Sequence, residues 1–218
     1  RERIKKNRNP MWLLVADRIW SKIVLLNSIE NVDLIGEKFS DIARMRGVDP
    51  YELVFDLLME EGAGMHQLLW TSNSFSQSDL NLCLEQEECA VISDTLALAP
   101  YGPLEKKVGS LSGYGWTSEF LSKYINEKKI ISIEEGIRRM TSLPAERLGV
   151  KDRGTLKENM KADIVVFDTG SIRSTWTVKE PRSYPKGIEH VFVNGRQTIC
   201  EGQRTQNNNG SVLRGPFS

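Results

Sequence analysis

The chain has 218 residues, 39% hydrophobic and 27% charged, close to ordinary globular usage and enough for a sizeable core. Its 29 basic and 29 acidic residues cancel, so neither nucleic acid nor an anionic membrane is expected as a partner; no apolar run approaches the roughly 20 residues that cross a bilayer. Three cysteines, Cys83, Cys89 and Cys200, make an odd count without a CxxC spacing, which argues against a disulfide framework and for a reducing, cytoplasmic location.

The basic opening, Arg1 to Arg8, reads as a solvated loop or helix end. Lys22 to Leu26 is an apolar strand, and Phe39 to Arg46 a short helix stopped by Gly47. Asp49-Pro50-Tyr51-Glu52 opens the next helix: Asp49 is the N-cap, Pro50 occupies the first helical position, and Glu52 stands three residues after the cap. Val54, Phe55, Leu57 and Leu58 give that helix one apolar face as far as Gly62. Met65 to Trp70 is expected as a strand, Ser76 to Glu88 as a helix carrying Leu80, Cys83 and Leu84 inward, and Cys89 to Ile92 as a further strand. The cysteines at 83 and 89 are expected to pack as small hydrophobes. Thr117 to Lys128 reads as a helix with Phe120, Leu121, Tyr124 and Ile125 on one side, and Ser132-Ile133-Glu134-Glu135 as a capping box opening another. This alternation of strand and helix predicts a parallel sheet or part of a (β/α) barrel.

The last third is β-rich. Ala162 to Phe167 is a β-branched run expected to bury both faces at least in part, and His190 to Val193 is a second strand. Asn194-Gly195, the dipeptide most favoured where both central residues of a type I′ turn need positive φ, leads into a returning strand from Arg196 to Cys200. An Asn-Gly hairpin alone identifies nothing. The informative feature is the order: a helix, Thr141-x-x-Pro144-Ala145, Leu148-Gly149-x-x-x-Arg153-Gly154, a strand ending in Asp168, and Val193-Asn194-Gly195.

That order resembles the C-terminal end of an amidohydrolase-superfamily enzyme, most closely the N-acyl-D-amino-acid deacylase (D-aminoacylase) group. Upstream stretches are similar in the same order: Gly36-Glu37-Lys38-Phe39, Ile42-Ala43, Gly47-Val48-Asp49-Pro50, Asp56-Leu57-Leu58 and Ile92-Ser93-Asp94. The resemblance covers nearly the whole chain but only the second half of the family's length, so the chain is expected to be a fragment. It implies an α/β fold: the C-terminal portion of a (β/α)8 TIM-like metal-dependent hydrolase barrel over residues 1–150, and a small β-sandwich subdomain with the C-terminal tail over 151–218.

Asp94 follows the apolar stretch Ala90 to Ile92, so in a barrel it would sit at the C-terminal mouth of a strand. On pattern alone a turn or N-cap aspartate is the commoner outcome. The resemblance reverses that weighting, because it implies that the last barrel strand ends in the catalytic aspartate. A carboxylate there can take a proton from the attacking water, pass it to a leaving amine, and also ligate the metal.

Zinc is the cofactor the resemblance implies, and a zinc site needs three or four converging ligands. Only two histidines are present, without a His-x-His pair; His66 starts an expected strand and could face a barrel interior, but a structural or exposed role is expected, and His190, far in sequence from Asp94, is expected not to be a ligand. The resemblance places the remaining ligands upstream of this chain, so the chain is expected to be inactive alone. The loop after Asp94 ends in Gly113-Tyr114-Gly115-Trp116, similar to a Tyr-Gly pair preceding the same helix in deacylase-like chains, which makes Tyr114 a candidate substrate-binding residue. Where many members carry His-Pro-Arg, this chain reads Ser110-Leu111-Ser112. The expected function is hydrolysis of a C–N amide bond in a small molecule, an N-acyl-D-amino acid or related amide. The alternatives are another amidohydrolase such as a cyclic-amide hydrolase, and a non-catalytic homologue with a binding or assembly role. The sequence is silent on oligomeric state.

Overall fold

A computed structural model describes residues 18–72, 75–95, 99, 101–103, 105 and 111–214. The Arg1 to Arg8 run, Ser110 and much of the loop after Asp94 therefore lie outside the described residues. The chain forms two compact units, one ending at Asp79 and one beginning at Leu80.

In the first unit, strand β1 (Ile23–Asn27) pairs antiparallel with β2 (Leu69–Ser72), with a bulge between Leu25 and Asn27. Helices α1 (Phe39–Arg46) and α2 (Pro50–Glu61) supply the rest of its core. Helix α1 ends at Gly47 as read, and the Asp49 carboxylate caps α2 by accepting from the Tyr51 amide at 2.9 Å. Ile23, Leu25, Ile42, Leu53 and Leu57 are at most 1% exposed. Each such side chain contributes about 1.5–3 kcal/mol over an exposed position, which is why this short segment holds a defined core. Trp20 meets Tyr51 edge to face, with ring centroids 4.8 Å apart.

The strand expected from Met65 begins only at Leu69. Gly62–Gln67 is a 3-10 helix instead, because Met65, His66 and Gln67 offer no β-branched surface to pair. His66 lies in that helix, exposed, with Nδ1 3.3 Å from the Ala63 carbonyl, in keeping with the structural or exposed role expected of it.

The second unit is built on helix α4, which starts as Trp116–Glu119 and widens into a π-helix over Phe120–Glu127, burying Phe120, Leu121 and Ile125. Against it pack Leu84 and Ile172, with Val91, Ile137, Phe167 and Ile188 partly buried around them. Helix α3 (Gln77–Glu85) is shorter than expected and buries Leu84 alone; Leu80 is 39% exposed and Cys83 is exposed, so only the last turn of its apolar stripe reaches the core. Helix α5 (Ile133–Met140) is capped by Ser132 Oγ, which accepts from the Glu135 amide at 3.2 Å. The Glu135 carboxylate turns to Arg138 and Arg139, so it does not complete the expected box. Helix α6 (Ser142–Arg147) follows directly.

The C-terminal sheet has the order β3 (Ile164–Phe167), β4 (Ile188–Val193), β5 (Arg196–Cys200), β6 (Gln203–Arg204). The hairpin forms where Asn194-Gly195 predicts it, with φ of +50° and +77°. β3 departs from expectation: Val165 and Val166 are 51% and 41% exposed, because only Ile164 and Phe167 face packed neighbours. All strand pairs among the described residues are antiparallel, and the parallel pairing predicted from the alternation is not among them. The segment expected as a strand at Cys89 to Ile92 carries no ladder, since a strand needs a neighbour to pair with. No described helix is long and apolar enough to cross a membrane. The boundary expected between residues 150 and 151 falls inside the second unit.

Candidate functional site

Asp94 belongs to the second unit and closes the irregular segment that runs from Cys89. Val91 anchors that segment: its side chain packs on the core and its amide donates to the Arg139 carbonyl at 3.0 Å, while Ile92 turns out to solvent. The anchor itself is clamped. Arg139 is 1% exposed, donates Nε to Glu135 at 2.7 Å, and reaches the Leu84 carbonyl with Nη1. Arg138 adds hydrogen bonds to Glu135 at 2.7 and 2.8 Å and to the Glu87 carbonyl at 2.8 Å. These two guanidiniums, Arg138 first, hold the Glu135 carboxyl down at about 2. A cleft of about 660 Å³ beside them is lined by Glu85, Glu87, Ser132, Glu135 and the two arginines, whose charges answer one another.

At the end of this anchored segment Asp94 has φ +43°, a left-handed conformation that non-glycine residues rarely adopt and that concentrates at functional positions. Its side chain is exposed and makes no hydrogen bond or ion pair among the described residues, so it does not cap a helix. The strand expected to present it is replaced by the tie between Val91 and α5. A carboxylate held at a strained corner and left unpaired is free to accept a proton from a bound molecule.

Tyr114 ends a 3-10 turn over Leu111–Tyr114. Its ring meets Tyr184 edge to face with centroids 5.4 Å apart, and burial pushes both phenols above their usual value. Arg182 acts on Tyr114 and Arg204 on Tyr184 in the opposite sense, while the Tyr101 phenol adds to the rise on both and Tyr114 to that on Tyr184. Tyr114 is legible in the sequence, whereas Tyr184 and Arg182, which the fold brings to it from the loop between β3 and β4, are not, because a Tyr-Pro pair in a loop carries no periodic signal.

Among the described residues no three His, Cys, Asp or Glu side chains come together to hold a metal. His190 Nδ1 accepts from the Glu201 amide at 3.3 Å and faces Gln197 Nε2 at 3.1 Å, a hairpin role in keeping with its position. The described residues do not by themselves fit a zinc site.

The sequence profile described as the amidohydrolase family matches residues 36–199. The chain is 29% identical over 188 residues to N-acyl-D-aspartate deacylase of Alcaligenes xylosoxydans xylosoxydans, covering 86% of this chain and 34% of that protein. It is 33% identical over 124 residues to N-acyl-D-glutamate deacylase of the same organism, covering 56% of this chain and 24% of that one. Among solved structures, it is similar to N-acyl-D-glutamate deacylase of Bordetella bronchiseptica, complexed with zinc and a phosphonate that mimics the tetrahedral intermediate. That likeness has a TM-score of 0.68 at 24% identity and covers 88% of this chain and 38% of that one. The chain thus spans about a third of the length of the first relative it matches. Through the match over residues 36–199, which includes Asp94, Tyr114 and the hairpin, the chain belongs to the amidohydrolase family.

Proposed function

We propose that this chain is part of a zinc-dependent hydrolase that cleaves the C–N amide bond of N-acyl-D-amino acids, with Asp94 as its proton-transfer group. The similarity to an N-acyl-D-aspartate deacylase along 86% of the chain carries this reading. On it, residues up to 150 contribute late strands and helices of a (β/α) barrel, and 151–218 contribute the β-subdomain. Since no metal cluster forms among the described residues, ligands from outside them would be required to hold the zinc. Asp94 takes a proton from the attacking water as its oxygen bonds to the acyl carbon, then delivers it to the nitrogen as the C–N bond breaks. Its unpaired carboxylate and left-handed backbone support that role. Tyr114 would meet the substrate through its phenol, which burial pushes above its usual value.

The test is Asp94→Asn in the full-length protein. Asparagine keeps the shape and cannot take the proton, so kcat on a series of N-acyl-D-amino acids should fall about a hundred- to ten-thousand-fold. Metal content and melting temperature should stay near wild type. Near-normal kcat in the variant would remove Asp94 from the reaction.

A further inference from the structure

The loop between Arg173 and Lys186 takes no part in the proposed reaction. Its ends are tied by a reciprocal backbone bridge, Arg173 amide to Lys186 carbonyl at 3.1 Å and Lys186 amide to Arg173 carbonyl at 3.0 Å. Inside it, Thr175 Oγ1 donates to the Tyr184 carbonyl at 2.7 Å, which folds the two arms of the loop together. The folded loop lies against the Tyr114-Gly115 corner. A Cβ on Gly115 would fall 2.5 Å from Ser174 Oγ and 2.6 Å from Trp176 Cδ1, so only glycine fits there.

Three polar atoms of this loop are buried without a hydrogen-bond partner among the described residues: Ser174 Oγ, Trp176 Nε1 and Arg182 Nη1. The indole and guanidinium nitrogens can only donate, and the hydroxyl is free to donate. A buried donor left unsatisfied is costly enough that native structures rarely keep one, and here three occur within nine residues of chain. Arg182 forms no ion pair with a carboxylate among the described residues. Arg204 adds a second cation, its guanidinium 5.4 Å from the Tyr101 ring centroid, and Tyr101 acts on the Tyr114 and Tyr184 phenols. A cluster that offers donors and positive charge, with no carboxylate paired to it among the described residues, is complementary to an oxyanion.

We propose that Ser174, Trp176 and Arg182 form a binding subsite for the oxyanion group, carboxylate or phosphate, of a small molecule seated beside Tyr114. The guanidinium supplies the charge and a planar fork, the indole N–H and the hydroxyl fix the anion's orientation, and Gly115, lacking a Cβ, leaves Ser174 and Trp176 in place beside it. The assignment stands apart from the amide chemistry, since it rests on donors that Asp94 does not touch.

The experiment uses the 218-residue chain labelled with ¹⁵N, whose Trp176 indole resonance is assigned with Trp176→Phe. Sodium acetate and inorganic phosphate are titrated separately at constant ionic strength against sodium chloride. The expected result is a saturable shift of the Trp176 indole N–H, half-complete near ~1 mM, with one or both anions and none with chloride. Saturation by acetate alone identifies a carboxylate site, and by phosphate alone a phosphate site. Arg182→Gln should weaken binding at least about tenfold, as expected for loss of a charge-assisted hydrogen bond, and Ser174→Ala by less. Arg182→Lys, which keeps the charge but loses the fork, should bind with intermediate affinity and guards against a variant that does not fold. No saturable shift with either anion, or unchanged binding in a folded Arg182→Gln or Arg182→Lys protein, overturns the proposal.

Discussion

Replacing Arg139 by methionine tests how the candidate catalytic segment is held. Methionine keeps a straight apolar stem in a position that is 1% exposed and removes the guanidinium. Two interactions go with it: the 2.7 Å contact with Glu135, and the donor to the Leu84 carbonyl at the end of α3. Glu135 keeps its two hydrogen bonds to Arg138, so its carboxylate is not stranded; the Leu84 carbonyl loses its side-chain donor. Losing one charge-assisted hydrogen bond and exposing one buried acceptor costs about 2–3 kcal/mol, at the low edge of what breaking a buried ion pair costs. Urea unfolding followed by circular dichroism measures that loss. Hydrogen exchange at the Val91 amide, which donates to the Arg139 carbonyl, should accelerate with it. In the full-length protein kcat should fall while KM changes little, because the loosened segment ends at Asp94. A loss below about 0.5 kcal/mol, the ordinary range for surface substitutions, with unchanged Val91 exchange would refute the clamp.

Glu61→Gln should destabilise the first unit by about 2 kcal/mol, because the buried carboxylate accepts from the Ser28 hydroxyl and from the Ile29 and Glu30 amides, and an amide NH₂ would face those donors; urea unfolding checks it. Gly195→Ala should cost about 1–2 kcal/mol for conformation alone, since φ is +77° while the nearest atom to the new Cβ is Ala162 Cβ at 4.0 Å; thermal unfolding reads the change. Glu135 has a folded-state value of about 2 against the usual 4.5, so its contribution to stability is present above about pH 4.5 and is lost as pH falls through about 2. The urea midpoint of the wild type should therefore drop more steeply over that acid range than that of Glu135→Gln, and parallel curves would show that Arg138 and Arg139 do not hold the carboxylate.

Local signals were legible wherever one residue type fixes one geometry. The Asn194-Gly195 turn, the Gly47 stop, the Asp49-Pro50 start and the apolar stripe of Phe120, Leu121 and Ile125 all reappear in the fold. The failures share a physical cause. Met65 to Trp70 and Cys89 to Ile92 are apolar enough to be strands, but a strand is defined by its neighbour, and the neighbour is not encoded in the segment itself. Helix α3 was misread for a related reason: its stripe is regular, yet only Leu84 meets the Phe120 helix, so Leu80 and Cys83 stay out. Tyr184, Arg182, Ser174 and Trp176 were invisible because their meeting with Tyr114 depends on how a non-periodic loop folds back.

The residues that made the family recognisable between 140 and 195 are those that tie the fold together. Arg153 reaches Asp163 with one nitrogen and Asn194 Oδ1 at 3.1 Å with another; Asp163 accepts from the Asn194 amide at 2.8 Å, and the Gly195 amide donates to the Ala162 carbonyl at 2.9 Å. Three stretches far apart in sequence are joined by one knot of charge-assisted hydrogen bonds, which explains why Arg153-Gly154, Ala162-Asp163 and Asn194-Gly195 occur as a set. Such a knot stabilises the β-rich region whether or not the protein turns over a substrate. The signature therefore speaks for the fold, and a fold does not fix an activity. On the proposed function the chemical burden within this chain falls on Asp94, a residue outside the knot, unpaired among the described residues, at φ +43° in a segment tied to Arg139. Disrupting the knot and substituting Asp94 should accordingly separate: the first lowers stability, and the second lowers turnover in a protein that remains folded.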